Sequence, residues 1–260
     1  MKKLVFVIAT LALSVSIFAA DAVQPPKRRG PRHPRGPRQG GIVEKPYAGK
    51  VFRILNTQSD IAADKLAKIT KDIRYAALLP IECAEGTLAA GECPFKAADA
   101  LVATEGVGAG AVIVSDSKLP IELVSPDRKW GILNIAPLKA DNPSPATFDA
   151  RFMKVYWGII ARTLGAGTSS YPGCVIVPFS DMKGLDAIRA TRPCPEPFNK
   201  MIDTANAYGI KIITITSYRE ACQQGWAPQP KDEVQKKIWE EVNALPKNPM
   251  KIEFDPKKGR

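Results

Sequence analysis

Apolar residues along this chain alternate between two periods. Residues 51–56 (VFRILN) are apolar and β-prone and predict a first strand. The period then changes. Ala62, Leu66, Ile69, Ile73 and Ala76 recur at helical spacing, with Ser59 or Asp60 placed to cap the helix. Residues 80–83 predict a second strand. Pro94 opens a helix through Ala103, at the first position, where no N–H is needed. Residues 106–110 (GVGAG) lack the lysine–serine pair of a phosphate loop and the dinucleotide-binding spacing, and read as a turn. A central strand is expected at 111–115. Another is expected at 129–138, where Pro137 marks an edge or an end.

Ser144 and Pro145 start the next helix, over 148–164, with Phe148, Phe152, Val155 and Ile159 on one face and Gly165 at its end. Asp181 is placed to cap a helix over 182–190. Another spans 195–208, with Phe198, Met201, Ile202 and Ala205 inward and Gly209 as its stop. Residues 210–216 (IKIITIT) predict a strand by composition, followed by a short helix at 219–224. Pro230 opens a last helix, with Val234, Ile238, Trp239, Val242 and Leu245 on one face. Strand and helix periods in this order predict a single α/β domain over 47–245, a mixed twisted sheet packed on helices. Residues 246–260 form a polar tail.

The N-terminal end changes the picture. Lys2 and Lys3 precede an apolar run to Ala19 and a small-residue site at 20–22, the pattern of a bacterial secretory signal peptide over 1–22. The chain is therefore expected to be exported, to a periplasm or the medium. Residues 23–46 are rich in Pro, Gly and Arg and are expected to lack fixed structure. Lys27, Arg28, Arg29, Arg32, Arg35 and Arg38 carry most of the formal net charge of +11, so the rest of the chain is close to neutral. Two readings stay open for this stretch: attraction to a polyanion (nucleic acid, acidic glycan or anionic lipid) or a solvated spacer. No stretch after the leader is long and apolar enough to span a bilayer.

The chain contains one histidine, His33, in the basic stretch. That excludes multi-histidine zinc sites from the folded body, and Ser-His-Asp or Cys-His catalysis with them. Five cysteines in an exported protein suggest two disulfides and one free thiol. Cys83 and Cys93, at the ends of one loop, are one candidate pair, and Cys222 reads as a small core residue.

The spacing over 158–197 resembles the archaemetzincins, zinc peptidases with the pattern HExxHxxGxxxCx4CxMx17CxxC. Gly165 takes the glycine position, Cys174 the second cysteine and Cys194 the third. Thr163, Leu164 and Gly167 also look like the family around its turn. The resemblance implies a zincin-like or metzincin-like fold, with residues from Phe198 onward as a C-terminal extension. The zinc-site positions are degenerate: Gly158 and Arg162 stand for the first two histidines, Ile159 for the glutamate and Thr168 for the third ligand. Ser169 and Pro197 replace the first and fourth cysteines, and Ile176 replaces the methionine. Glycine and isoleucine offer no ligand, and a guanidinium repels a cation. No catalytic residue and no cofactor is expected, although the family uses zinc.

In the resembled family four cysteines hold a structural zinc. The two kept here are expected to form a Cys174–Cys194 disulfide. Arg162 is expected to find a carboxylate or a loop carbonyl. Metzincins bind extended peptides along an edge strand, which the sequence places at 129–138. The leading expectation is an inactive pseudopeptidase that binds a peptide, protein or envelope component in the former cleft. A hydrolase using carboxylates such as Asp149 or Asp181, and a surface-binding protein acting through its basic stretch, are the alternatives.

Overall fold

The computed structural model describes residues 40–88 and 92–245, which belong to one compact unit. Residues 1–22, the basic residues 27–38 and the tail from 246 lie outside the described residues.

Four parallel strands and one antiparallel strand make the main sheet. They are β2 (Val51–Asn56), β3 (Ile81–Glu85), β4 (Val107–Val114), β6 (Trp130–Asn134) and the antiparallel β5 (Glu122–Ser125), in spatial order β3-β2-β4-β6-β5. Every residue of the central β4 is buried. Its side chains alternate between two cores, as strand geometry requires. Ala109, Ala111 and Ile113 join the larger core, with Leu66, Ile69 and Ile73 of α1 (Ala63–Ala77) and with Phe152, Tyr156 and Ile160 of α4 (Pro145–Thr163). Val112 and Val114 join Ala98 and Leu101 of α2 (Pro94–Ala103) on the other face.

A second, two-stranded sheet pairs β1 (Ile42–Glu44) with β7 (Ile215–Ser217). The remaining helices are α3 (Ala136–Lys139), α5 (Met182–Ala187), α6 (Pro195–Ala207), α7 (Tyr218–Gln223) and α8 (Glu233–Ala244).

The elements depart from expectation where tertiary packing overrides local pattern. Strand β1 falls inside 23–46, which was expected to hold no structure; β7 supplies its partner. Neither Ser59 nor Asp60 caps α1, whose N-cap is Ala62 with no side-chain bond. Residues 106–110 are not a turn throughout. Gly106 alone turns, at φ +78°, and β4 begins at Val107. In 210–216 only the end pairs as strand. Ile210 and Ile213 bury their side chains without joining a ladder. Residues 129–138 are not one edge strand. β6 lies inside the sheet, fully buried, and Pro137 sits in the first turn of α3. The edge is β5.

Helix α4 begins as predicted, with Ser144 Oγ accepting the Thr147 N–H at 3.2 Å. A buried arginine on this helix, Arg151, ties it to its surroundings. Its guanidinium donates to both carboxylate oxygens of Asp141 (2.6 and 2.8 Å), to both of Asp186 (2.8 and 2.7 Å) and to the Leu138 carbonyl. One cation thus holds the chain between α3 and α4, and the end of α5, against α4. Hydrogen bonds from Arg151 hold the carboxyls of Asp141 and Asp186 below the usual carboxylate range. Depressed folded values stabilise the protein above the unfolded carboxyl pKa, and that stability is lost as pH falls through the folded values. The Arg151→Gln variant is expected to melt on the order of 5 °C lower near neutral pH. Melting curves taken down the pH scale should show this gap narrowing below roughly pH 4.

Candidate functional site

Helix α4 lies across the sheet because Gly131 of β6 lets it approach. A Cβ at Gly131 would come within 2.5 Å of Thr163 Oγ1 and 2.7 Å of Ile159 Cδ1. That contact fixes how the helix is turned. Ile159, at the position of the family's glutamate, is fully buried in the core. Arg162, at the second histidine position, is turned toward β5.

There it meets Glu122. Arg162 Nε donates to Glu122 Oε2 at 2.7 Å, Nη2 stands 2.5 Å from the same oxygen, and Nη1 reaches the Ile176 carbonyl at 3.4 Å. Both side chains are largely buried, at 18% and 11% exposure. Gly158 makes the pair possible. A Cβ there would stand 2.6 Å from Glu122 Oε1 and 2.7 Å from Arg162 Nη2. The ion pair therefore lies over Gly158 and grows from Arg162. Burial pushes the Glu122 carboxyl up, and the charge and hydrogen bonds of Arg162 pull it back only in part. Glu122 Oε1 is buried with no hydrogen-bond partner.

Beside the pair opens a pocket of about 650 Å³. Ile121 and Glu122 form one wall, Pro137 and Ala140 a second, Arg162 and Thr168 the floor side, and the stretch from Pro178 to Met182 the remainder. Its size and mostly apolar lining suit an organic ligand or a peptide side chain. Strand β5 runs along it and ends the sheet, with no further strand paired to its outer edge among the described residues.

Of the four degenerate zinc positions, the structure brings Arg162 and Thr168 into the pocket, sets Gly158 under the ion pair and buries Ile159 elsewhere. These residues do not fit a zinc ion. Zinc asks for thiolate, imidazole or carboxylate ligands. Of the two carboxylates that line the pocket, Glu122 is already held by a guanidinium and Asp181 by the first turn of α5. No other group of three metal-ligating side chains stands together among the described residues. Asp149 and Asp181, the carboxylates the sequence offered to a hydrolase, line different pockets. Asp149 pairs with Lys65, and Asp181 caps α5 by accepting the Gly184 N–H at 2.7 Å.

The cysteine positions converge. The Cys194 N–H donates to Cys174 Sγ at 3.1 Å, and a hydrogen bond of 3.4 Å joins Ser169 Oγ and Cys194 Sγ. Cys174 and Cys194 stand here as neighbouring free thiols. Burial pushes the Cys174 thiol up, but hydrogen bonds from Cys194, Ile176 and Ser169 outweigh it and bring it below its ordinary value. Cys83, Cys93 and Cys222 are also free thiols, and burial beside Glu85 pushes Cys83 up to about 12.

Sequence reasoning missed Glu122, Phe179 and Met182. An inward-facing arginine signals that a carboxylate must exist, but Glu122 lies 40 residues away in sequence. Nothing local marks it.

No protein-family model and no curated protein sequence matches the chain. In fold it is similar to an archaemetzincin from Methanopyrus kandleri, with a TM-score of 0.49 and 13% identity over 67% of this chain and 99% of that one. It is also similar to a zinc-dependent peptidase from Methanocorpusculum labreanum (0.46, 12%, 57% and 99%). An archaemetzincin from Archaeoglobus fulgidus gives 0.44 and 9% over 57% and 98%. The likeness is one of architecture, an archaemetzincin-like α/β fold.

Removing one member of a buried ion pair strands the other charge, whereas removing both does not. Glu122→Ala is expected to cost about 2–4 kcal/mol. The double variant Glu122→Leu with Arg162→Met should recover most of that loss. Denaturant unfolding of the single and double variants checks both.

Proposed function

We propose that this is an exported, catalytically inactive archaemetzincin-like protein that binds an extended peptide segment, of a protein or a cell-envelope component, without cutting it. The carrying observation is the Glu122–Arg162 pair, which lies where the resembled pattern requires two zinc ligands. A catalytic zinc needs three protein ligands, an open water position and a base that reaches that water. Gly158, Ile159, Arg162 and Thr168 offer no imidazole, thiolate or carboxylate. The base position, Ile159, is in the core.

Binding needs less. The outer edge of β5 can take an added strand through backbone hydrogen bonds, and the adjoining pocket can accept one side chain of that strand. Phe179 and Met182 supply polarisable apolar surface to such a side chain. Export follows from the leader-like residues 1–22.

Two measurements test the reading. Purified protein is expected to carry no stoichiometric zinc by elemental analysis and to leave a mixed-sequence peptide library uncleaved after long incubation. Zinc at one equivalent together with cleavage would overturn it. In the same library, bound peptides recovered by pull-down should lose about tenfold affinity for a Met182→Glu variant, because a charge would be buried against the ligand. A library that yields no bound peptide at all sinks the binding half of the proposal.

A further inference from the structure

The pocket wall and the cysteine pair share one stretch of chain. Thr168 lines the pocket. Ser169 follows, and its N–H donates to the Ile176 carbonyl at 3.3 Å. That carbonyl also receives Arg162 Nη1. Between them lies Cys174, fully buried. The turn is held from the far side by Val175, whose N–H donates to the Arg192 carbonyl at 3.1 Å. Two residues on stands Cys194, half-buried at the N-cap of α6. Its side chain makes no capping bond, so a change at its sulfur costs the helix none.

We propose that Cys174 and Cys194 are a dithiol–disulfide pair whose oxidation braces the stretch 168–176, which enters the pocket at Thr168. The bracing rests on the cleft-binding reading; the disulfide does not. Chemistry and access set the order of steps. Cys194 is the thiol nearer solvent, and its thiolate attacks a small-molecule disulfide. One S–S bond breaks, a mixed disulfide forms on Cys194, and one thiolate leaves. Cys174 then attacks Cys194 Sγ, expelling the second thiolate. The two protons lost by the protein thiols are taken up by the two leaving thiolates. The protein is oxidised by two electrons and the small disulfide is reduced to two thiols.

Hydrogen bonds aimed at Cys174 Sγ favour its thiolate, the form that must attack. Burial disfavours the thiolates of Cys194 and of Cys83 alike, so it is the hydrogen-bonded contact of Cys174 with Cys194 that singles out this pair. Two thiolates alone are half the ligand set of a structural zinc, so the site favours the covalent link over a metal.

The test is to incubate the reduced, purified protein with glutathione disulfide and map the non-reduced peptides by mass spectrometry. A Cys174–Cys194 crosslink is expected. It should be accompanied by a rise in melting temperature on the order of 5–10 °C, absent in Cys194→Ser and in Cys174→Ala. Amide exchange over residues 168–176 should slow on oxidation. If both thiols remain alkylatable in excess oxidant, or if only Cys83 and Cys93 crosslink, the disulfide is refuted. A crosslink with unchanged exchange over 168–176 refutes the bracing. None of these readouts uses a peptide or zinc, so they stand apart from failure of the cleft reading.

Discussion

A guanidinium cannot be taken out of water without an acceptor, and this constraint organises the site. Arg162 projects from α4 on the side facing β5, where only 18% of its side chain is exposed. Its charge is tolerable because Glu122 opens β5 directly opposite and because the Ile176 carbonyl takes a third donor. The pair needs volume, and Gly158 supplies it one helical turn earlier. Three positions far apart in sequence are thus solved together. A larger residue at 158 would push the carboxylate and guanidinium outward, and a neutral residue at 162 would strand Glu122. The strand edge, the helix face and the loop through Ile176 meet at one ion pair, and the pocket opens beside it.

The rest of the fold holds these partners in place through close packing and a second buried arginine. Gly131 lets α4 sit close to β6, and Ile159 and Thr163 fill the contact. Arg151, eleven positions before Arg162, anchors the same helix to Asp141 and Asp186. The two arginines play different parts. Arg151 bridges two half-exposed carboxylates and fixes the chain around α3 and α5, which carry Pro137 and Met182 of the pocket wall. Arg162 fills space at the pocket's base. Apolar burial of Phe152, Tyr156 and Ile160 supplies the main cohesion of α4, and the ion pairs set its register against its neighbours.

Local signals were legible in the sequence, and non-local ones were not. The Ser144 cap with Pro145 marked the start of α4, and Pro94 marked α2 from its first residue to Ala103, because caps and first-turn prolines act within a few residues. The run 210–216 misled for a physical reason. Ile210 and Ile213 are buried by packing, the Ile213 N–H donates to the Leu78 carbonyl, and only 215–217 find a strand partner. That partner, β1, is too short and half-polar to be read without β7 beside it. The edge strand was misplaced by one because ELVS carries no signal stronger than WGILN. Which strand ends a sheet depends on topology. Arg162 announced a missing carboxylate. Glu122 itself required the fold.

The helical positions 158, 159 and 162 and the positions 169, 174 and 194 are held in place by different means. Residues 158, 159 and 162 are helical, and their side chains can change as long as the helix keeps its core face. Ile159 strengthens that face. Residues 169, 174 and 194 lie outside that helix, where backbone bonds such as Ser169 N–H to the Ile176 carbonyl and Val175 N–H to the Arg192 carbonyl fix their approach. A metal is one way to hold such an approach. A buried cysteine accepting the N–H of its neighbour is another, and it demands the same proximity. The convergence of Ser169, Cys174 and Cys194 is therefore held by hydrogen bonding and by burial of Cys174.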